Sequence, residues 1–552
     1  MKAHITDLLF SIVKKMTPDI SREQIIIERP KLIEHGDLSC NIALILAKKL
    51  KKAPRDIAKE ITNSLPLEDA FQKIDIAGAG FLNFYFNNKA QTQIIKNTIK
   101  QMQDYGKNNN GANKKIQIEF VSANPTGPLH VGHGRGAAIG DCLARLHKFS
   151  GWEVTKEFYY NDAGSQIDNL TKSIIARCNN IEPDNEDFPE DGYRGEYISD
   201  ISKAYIQKKA IKSEDGEIKS TGDIKDYELI KTFAVQYLRN EQDNDLKAFK
   251  TIFDVYSLES SFYKKGKVDN VVTTLKKEGH TYEQDGALWL KTSLFGDDKD
   301  RVMQKSNGEF TYFVPDVAYH LDKWERGFYR VINEQGADHH STIKRVRAGL
   351  QGLKKNIPLN WPEYVLHQMI TVLKNGVEVK ISKRAGSYVT LRELIDEVGC
   401  DATRFFLIAR RPDSQLVFDI DLAKSQSSDN PVYYIQYAHA RIQGVLNQWG
   451  KDLKSLTNNQ SYCYDSLTEK KLIRKIDEFP EVVETATKEL APHQITNFLK
   501  DVAADLHSFY NETKFLVDNE SEKKGKLALI YAVQIIFKNG LNLLGINAPD
   551  KM

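Results

Sequence analysis

The sequence predicts a chain of several domains: a small α+β domain, a central α/β domain with an insertion, and a final all-α domain. A chain of 552 residues is long enough for about three or four domains. From Lys114 onward a strand-like run, a loop and a helical pattern follow one another, and beyond about Arg411 the pattern is almost wholly helical. Strand, loop and helix in this order are typical of the opening of a nucleotide-binding α/β domain.

The first domain is assigned to residues 1–110. Helical patterns cover Asn41–Leu50 and Arg55–Leu65, and apolar residues alternate over Gly80–Phe86 as they do in a strand. The segment Gly106–Asn113 is polar and rich in turn-forming residues, and it lacks the apolar residues that a core element needs. It therefore predicts a linker to the next domain.

The central α/β domain is assigned to residues 111–410. Apolar and polar residues alternate over Ile116–Phe120, and Ala137–Leu146 has helical spacing. A long, charged and mostly helical stretch at about residues 165–285 predicts an insertion that interrupts the sheet. Strand-like runs then resume at Ala287–Leu290, Phe310–Val314 and Tyr329–Ile332. The remaining residues, 411–552, are assigned to the helical domain.

Composition narrows the class of protein. The formal charge is only +2, so contact with a nucleic acid must come from local basic patches. The five cysteines lie far apart and form no Cys-x-x-Cys pair, which fits a reducing compartment. No apolar run approaches the roughly 18 residues that a membrane-spanning helix needs. We therefore expect a cytoplasmic protein without membrane contact.

The loop between the first predicted strand and helix of the central domain is the most informative segment. His130 and His133 are three residues apart, so a helical turn would point both rings the same way, and Gly132 and Gly134 would let a ligand approach the backbone. A helix N-terminus favours phosphate. Two imidazoles there can donate hydrogen bonds to phosphoryl oxygens as charge develops during attack on ATP.

From the residues alone, two other interpretations of this loop stay open. The histidines could bind zinc, although zinc needs three or four ligands and no partner is near in sequence. Gly132–Ala137 also fits the G-x-G-x-x-A dinucleotide fingerprint. About ten residues, including Pro125 and Pro128, separate the strand from these glycines, which disfavours the tight turn of a dehydrogenase.

A second constellation lies roughly 250 residues downstream. Lys380, Lys383 and Arg384 crowd a loop that closes at Gly386, and such charges can neutralise a triphosphate and its pyrophosphate leaving group. A solvated surface loop is the alternative for a charge run of this kind.

These two constellations carry a family resemblance. His130–His133 resembles the first signature of the class I aminoacyl-tRNA synthetases, and Lys380–Arg384 resembles their second, mobile-loop signature. The longer string Ser122–Gly136, followed by Tyr159–Gln166, is similar to the arginyl-tRNA synthetase family in particular.

Further matches extend along the chain. Asp401–Arg404 is similar to the motif for which that family's C-terminal domain is named, with Thr403 in place of the usual leucine. His35–Leu38 and Gly80–Asn83 resemble parts of the extra N-terminal domain of the family. Arg384 stands where serine is commonest in the class, which puts the geometry of that loop in doubt but not its role.

The resemblance implies an architecture and a reaction. A Rossmann-like class I catalytic domain would lie between an additional N-terminal tRNA-binding domain and a helical anticodon-binding domain. The reaction would attach L-arginine to tRNA(Arg) through an arginyl-adenylate, with bound tRNA needed even for the first step. ATP with Mg²⁺ would be a substrate, no tightly bound metal or organic cofactor is expected, and the enzyme would be a monomer.

The resemblance also assigns site residues. Catalysis is expected from His130, His133, Lys380 and Lys383. ATP is expected at Gly132, Gly134, Gly336, Asp338, His339 and Lys383. Arginine is expected at Glu119, Asn124, Tyr312 and Asp316.

The arginine residues also have a physical rationale. A planar cation calls for a carboxylate that can accept two hydrogen bonds, and candidates should lie at strand ends. Glu119 ends the first strand, and Tyr312 and Asp316 follow the run that begins at Phe310. From the residues alone, the favoured interpretation is that Tyr312 is an aromatic residue of the core and that Asp316 is a turn or cap residue after Pro315. Asp338 could equally be a helix cap.

Two surfaces could contact RNA. A basic face in the first domain and aromatics interleaved with a cation in the last could supply charge and base stacking. The residues are Lys48, Lys49, Lys51 and Lys52, and Tyr433, Tyr434, Tyr437 and Arg441. Helical spacing leaves open that most of these tyrosines belong to the core.

Overall fold

A computed structural model gives the structure of residues 1–65, 70–213, 216–379, 389–457 and 462–552. The first domain packs helices on an antiparallel sheet with the strand order β1-β2-β4-β3. Its elements are α1 (Lys2–Met16), β1 (Ile27–Glu28), β2 (Leu38–Cys40), α2 (Ile42–Leu50), α3 (Pro54–Ser64), β3 (Phe71–Ala77), β4 (Phe81–Phe86) and α4 (Asn88–Gln101). The strand predicted at Gly80–Phe86 is confirmed as β4.

The central domain begins with a strand, a helix and a strand, as predicted. Its first part consists of β5 (Lys115–Glu119), α5 (Val131–Phe149), β6 (Glu153–Tyr160), α6 (Ser165–Cys178), α7 (Glu196–Ile206), β7 (Ala210–Ser213), β8 (Gly216–Lys219), α8 (Tyr227–Ala248) and β9 (Val255–Leu258). Its second part consists of α9 (Glu259–Lys264), α10 (Lys267–Lys277), β10 (Thr281–Gln284), β11 (Ala287–Leu290), β12 (Arg301–Gln304), α11 (Phe313–Glu325), β13 (Arg330–Gly336), α12 (His340–Gly352) and β14 (Glu363–His367).

A five-stranded parallel sheet with the order β14-β13-β5-β6-β9 forms the centre of this domain. The first strand in sequence, β5, lies in the middle, and the strand order reverses between β5 and β13. In open α/β sheets a ligand crevice opens outside the carboxyl ends of the strands at such a reversal. The residues that follow Glu119 and Gly336 therefore border the same crevice.

The strand β5 is buried on both faces, which is typical of a parallel strand covered by helices. Helix α5 packs closely on the residue that follows β5, because a Cβ on Gly140 would lie 2.1 Å from Cγ of Phe120. Glycine at this position therefore permits the close approach that places the start of α5 above the end of β5.

The predicted insertion at residues 165–285 is partly wrong. Helices α6, α7 and α8 do share an apolar core of their own, which includes Leu170, Ile198 and Phe233. The strand β9, however, falls inside this range and pairs in parallel with β6 in the central sheet. The strand β9 is only four residues long and lies between long charged helices, so its apolar pattern is too short to be recognised in the sequence.

The strand predicted at Phe310–Val314 is also wrong. Phe310 forms only an isolated bridge with Gln304, and α11 begins at Phe313. Pro315 lies in the first turn of this helix, where the backbone N–H groups have no intrahelical partner, so the proline does not break it.

A smaller sheet and the helical domain complete the chain. The sheet has the order β16-β15-β17, and β15 pairs with β17 in parallel. These elements are β15 (Ile370–Lys374), β16 (Val377–Glu378), α13 (Leu391–Val398), α14 (Cys400–Ile408), β17 (Leu416–Asp419) and α15 (Ile420–Lys424). The helical domain contains α16 (Pro431–Trp449), α17 (Leu467–Lys488), α18 (His493–Glu512) and α19 (Glu520–Leu543). Because β17 pairs with β15, the predicted start of a wholly helical domain at residue 411 precedes a strand of the smaller sheet.

The first and last domains are in direct contact. Arg29 Nη2 lies 2.7 Å from Asp477 Oδ2 and 2.8 Å from Glu481 Oε1, both on α17. The predicted linker Gly106–Asn113 takes part, since a Cβ on Gly106 would lie 2.7 Å from Cε1 of Phe479. This segment is therefore packed against the helical domain at its start.

None of the helices in the described ranges combines the length and the apolar character that crossing a membrane requires.

Candidate active site

His130 and His133 form a compact pair at the start of α5. His130 is the N-cap residue, and its Nδ1 accepts hydrogen bonds from the N–H groups of Gly132 at 3.0 Å and His133 at 3.4 Å. In return, the N–H of His130 donates to Nδ1 of His133 at 3.2 Å. The two rings stack with their centroids 3.7 Å apart. Because both Nδ1 atoms accept, each neutral ring carries its proton on Nε2, which makes Nε2 a donor suited to phosphoryl oxygens.

The glycines of this segment are needed for packing within the protein. A Cβ on Gly132 would lie 2.8 Å from Cε1 of His130, and one on Gly134 would lie 2.8 Å from Cδ1 of Leu391. A Cβ on Gly136 would lie 2.5 Å from Oε2 of Glu334. These glycines thus allow α5 to pack against β13 and α13, and they also leave the backbone open to a ligand.

Among the described residues no group of three or more histidine, cysteine or acidic side chains is placed to hold a metal ion.

Lys380, Lys383 and Arg384 lie outside the described residues, but the structure shows where their segment leaves and returns. Before it, the N–H of Val379 donates to the carbonyl of Val372 in β15 at 2.9 Å. After it, Thr390 forms an isolated antiparallel bridge with His130. The N–H of Val131 donates to Val389 O at 3.2 Å, and that of Leu391 to Leu129 O at 2.8 Å. The basic segment is therefore attached at one end directly to the loop that carries the histidines.

Glu119 lies where expected, at the carboxyl end of β5. Only 4% of it is exposed. Its Oε1 accepts a hydrogen bond from the Ser122 hydroxyl at 2.9 Å, and its Oε2 accepts one from Lys323 Nζ at 2.5 Å. Both oxygens are thus held by protein donors.

Asp316 lies in the first turn of α11 and not, as predicted, after a strand. Burial and the nearby carboxylates of Glu259 and Glu119 raise the pKa of Asp316 to about 7, against the opposing charge of Lys323. Glu259 accepts a hydrogen bond from the Tyr159 hydroxyl at 3.0 Å. Glu119 and Glu259 therefore both act on Asp316 with like charge. We call these three carboxylates the acidic pocket, and such an arrangement attracts a cation.

The other two predicted arginine residues are placed differently. Asn124 lies in the loop between β5 and α5, and its Nδ2 donates to Gln166 Oε1 at 2.8 Å. Tyr312 precedes α11 and is 76% exposed. Tyr312 is therefore not the core aromatic of the alternative interpretation, and it does not share the enclosed position of Glu119.

Gly336, Asp338 and His339 lie at the carboxyl end of β13. Asn333 of this strand pairs with Glu119, so Gly336 extends three residues beyond the end of β5 into the crevice. The side chains of Asp338 and His339 are 83% and 57% exposed, with Asp338 Oδ2 3.8 Å from His339 Nε2. The N-cap position of α12 is occupied by His339, so the alternative in which Asp338 caps that helix is wrong.

The sequence did not identify Lys323 and His320 as parts of this site. The His320 ring stands 2.7 Å from the backbone carbonyl of Asp316 through Nδ1, and 2.6 Å from Asn333 Nδ2 through Nε2. Burial lowers the pKa of His320 well below its usual value, so the ring is neutral. A signal was present, because Asp316, His320 and Lys323 recur at i, i+4 and i+7 on one face of α11.

The aromatic residues of the last domain form a partly exposed cluster. Tyr433 and Tyr437 stack with their centroids 6.1 Å apart, and Tyr437 is 40% exposed. The Arg441 guanidinium lies 3.7 Å from the centre of the Tyr510 ring.

In the first domain, Lys49 pairs with Asp19 at 2.6 Å, so part of the predicted basic face is neutralised.

The geometry defines a class of protein. A parallel sheet with a reversal point, stacked histidines at the start of α5 and an acidic pocket that includes the end of β5 match the class I aminoacyl-tRNA synthetases. Three family models match the chain in order: "Arginyl tRNA synthetase N terminal domain" over residues 3–86, "tRNA synthetases class I (R), catalytic domain" over 94–419, and "DALR anticodon binding domain" over 435–552. The chain belongs to the arginyl-tRNA synthetase family.

Individual relatives agree with this assignment. The chain is 55% identical over 532 residues to an arginine--tRNA ligase of Geotalea uraniireducens (strain Rf4), covering 96% of this chain and 95% of the relative. It is 54% identical over 533 residues to one of Geobacter metallireducens, with the same shares covered. A solved arginyl-tRNA synthetase structure of Campylobacter jejuni is 34% identical to this chain, with a TM-score of 0.76. The match covers 85% of this chain and 100% of the Campylobacter chain. That of Thermus thermophilus, at 22% identity and a TM-score of 0.77 over 100% of both chains, shows the shared fold.

Proposed function

We propose that this chain joins L-arginine to tRNA(Arg) in the crevice between β5 and β13, by way of an arginyl-adenylate. The observation that carries this proposal is the acidic pocket of Glu119 at the end of β5, Glu259 just after β9 and Asp316 in α11. Its carboxylates can accept hydrogen bonds from the guanidinium and the α-ammonium group of arginine. Asn124, in the loop after β5, and Tyr312, just before α11, would orient the substrate.

In the first step, the arginine carboxylate attacks the α-phosphate of ATP and pyrophosphate leaves. The Nε2–H groups of His130 and His133 would donate to phosphoryl oxygens as negative charge develops. ATP would be bound as its Mg²⁺ complex, with the adenosine beside Gly336, Asp338 and His339. Charge on the leaving pyrophosphate would be neutralised by the Mg²⁺ and by Lys380 and Lys383.

In the second step, the arginyl group passes to a hydroxyl of the terminal adenosine of tRNA(Arg). The partly exposed cluster around Tyr437 is suited to stack on anticodon bases, because stacking on aromatic rings is the usual way in which proteins bind unpaired bases. The first domain would hold another part of the same tRNA. We propose that the enzyme acts as a monomer in the cytoplasm.

Aminoacylation of total tRNA with each of the twenty amino acids tests this proposal. We expect charging with arginine alone, and only when ATP is supplied. Lysine has the same net charge as arginine but not its planar fork, so it should leave acceptors unpaired and remain a poor substrate. Charging with lysine, or with a neutral amino acid, at a rate comparable to arginine would contradict the assignment of the pocket.

A further inference from the structure

The acidic pocket contains a cation of the protein itself, Lys323. Its side chain is 0% exposed, and its Nζ donates to Glu119 Oε2 at 2.5 Å and to Asn333 Oδ1 at 3.0 Å. The ammonium group also lies 4.1 Å from the centre of the Tyr319 ring. These contacts fix its position, because a buried ammonium group is costly unless it is paired.

On the basis of the proposed function, we infer that Lys323 is a positioning residue of the arginine site. It holds the Glu119 carboxylate in one orientation and sets the net charge that the pocket presents to the amino acid. Lys323 acts through Glu119, which accepts from Ser122 on its other oxygen, so the carboxylate cannot rotate without losing a hydrogen bond.

The charge of the pocket matches that of the substrate when Lys323 is counted. Glu119 and Glu259 act on Asp316 with like charge, and the ammonium group of Lys323 acts on it with the opposite sign. Once Asp316 is ionised, the three carboxylates and one ammonium group leave two negative charges. Arginine has two positive charges near neutral pH, one on the guanidinium and one on the α-amino group. Without Lys323 the pocket would have one negative charge too many, and a carboxylate would retain a proton instead.

The groups that face Asp316 come from several elements. They are Glu119 of β5, Tyr159 of β6, Glu259 and Tyr263 of α9, His320 and Lys323 of α11, and Tyr364 of β14. Burial keeps His320 neutral by lowering its pKa, and it keeps the tyrosines protonated by raising theirs. Removal of the Lys323 charge should therefore be felt mainly by the carboxyl groups.

A role confined to stability and a role in positioning predict different kinetics. We compare Lys323→Met, which removes the charge, with Lys323→Arg, which keeps it. The matched control is Arg326→Met, which removes a cation one turn further along α11 that lies 2.8 Å from the buried carboxylate of Glu157. Each variant is assayed as the full chain with tRNA, and arginine and ATP are varied separately.

We expect Lys323→Met to raise the KM for arginine by about ten- to a hundredfold, the effect of weakening a charge-assisted contact, with little change in the KM for ATP. Lys323→Arg retains the charge but puts a larger, planar group in a fully buried position, so its KM for arginine should lie between those of the parent and Lys323→Met. Arg326→Met should leave both constants near those of the parent. An unchanged KM for arginine in Lys323→Met, or equal rises in the constants for arginine and ATP, would overturn the inference.

The pH dependence gives a readout that a stability role would not move. In the parent, the KM for arginine should fall as the pH rises through about 7, where Asp316 ionises. Lys323→Met should shift this fall upward by roughly one pH unit, because the opposing charge is gone. An unshifted profile would contradict the inference.

A measurement on the parent alone covers the case in which Lys323→Met does not fold. Titration calorimetry of arginine in buffers with different ionisation enthalpies should show proton release at pH 7, as Asp316 becomes fully ionised. Binding without proton release would overturn the charge match. Failure of the parent to charge tRNA with arginine would refute the proposed function, and this outcome is distinct from the ones above.

Discussion

Arg404 and Asp141 form a fully buried ion pair, with Nη2 of the arginine 2.6 Å from Oδ2 of the aspartate. Asp141 belongs to α5, the helix that begins beside His130, and Arg404 belongs to α14. Arg404 also donates to the carbonyls of Leu544, after α19, at 3.0 Å and Phe249, after α8, at 2.9 Å. One guanidinium thus connects α5, the residue that follows α8 and the end of the helical domain.

The first prediction concerns the stability that this arginine provides. Arg404→Met should lower the free energy of unfolding by about 3–5 kcal/mol, because it breaks a buried pair and leaves backbone carbonyls without a donor. Arg145 and Lys156 also pair with Asp141, so we expect the lower end of that range. Urea unfolding measures the change. The control is Lys250→Met, which removes a partly exposed pair with Asp401 and should cost no more than about 1 kcal/mol.

The second prediction tests Asp316 as a substrate ligand. Asp316→Asn should raise the KM for arginine by about ten- to a hundredfold, since a charge-assisted hydrogen bond contributes about 1.5–3 kcal/mol. In the parent, the pKa of Asp316 is raised to about 7, so binding of a cation should improve as the pH rises through that value. The variant should lose this dependence between about pH 6 and 8. Steady-state kinetics with arginine and ATP varied separately measure both effects. An unchanged KM for arginine would show that Asp316 only forms the start of α11.

The third prediction concerns the basic segment between Val379 and Val389. Lys383→Ala should slow adenylate formation by about 10²- to 10³-fold, or roughly 2.7–4 kcal/mol, if this lysine stabilises the transition state as one preorganised donor does. The KM for arginine should change little. Lys374→Ala is a suitable control, since Lys374 lies in β15 and pairs with Glu397 at the surface. If Lys383→Ala formed the adenylate at the rate of the parent in single-turnover assays, the proposed role of Lys383 would be refuted.

The fourth prediction concerns the aromatic cluster of the helical domain. Tyr437→Ala should raise the KM for tRNA by roughly five- to a hundredfold, the range expected when one stacked base, at about 1–3 kcal/mol, is lost. The KM for ATP should stay the same. Tyr329→Ala, which removes an exposed tyrosine of the central domain, is the control and should leave the KM for tRNA unchanged. Equal effects of the two changes would place the anticodon elsewhere.

The parts of the site that could be predicted from the sequence depend on short-range patterns. The alternation over Ile116–Phe120 indicated β5, and the three-residue spacing of His130 and His133 indicated a pair at a helix start. Both are confirmed in the structure. The contacts of the histidine pair are made within three residues, whereas β5 pairs with the more distant strands β6 and β13, so only its alternating pattern is local. The start of α11 could not be predicted in this way, because the aromatic and β-branched residues of Phe310–Val314 fit a strand equally well.

The burial of Lys323 illustrates the limit of sequence patterns. Lysine is almost never fully buried unless it is paired. Its partner, Glu119, is 204 residues earlier in the chain, and the two meet only because α11 packs over the end of β5. The spacing of Asp316, His320 and Lys323 marks one polar face of a helix, but the same spacing occurs on a solvated face.

The contact between Arg29 and α17 has a consequence for how the protein is made. Asp477 is 448 residues later in the chain than Arg29. At a synthesis rate of about 5–20 residues per second, the first domain would wait roughly 20 to 90 seconds on the ribosome for this partner. During that time its α17-binding face is open to other chains, and the contact that closes it forms only after α17 has been synthesised. The helical domain is thus the one that completes the first.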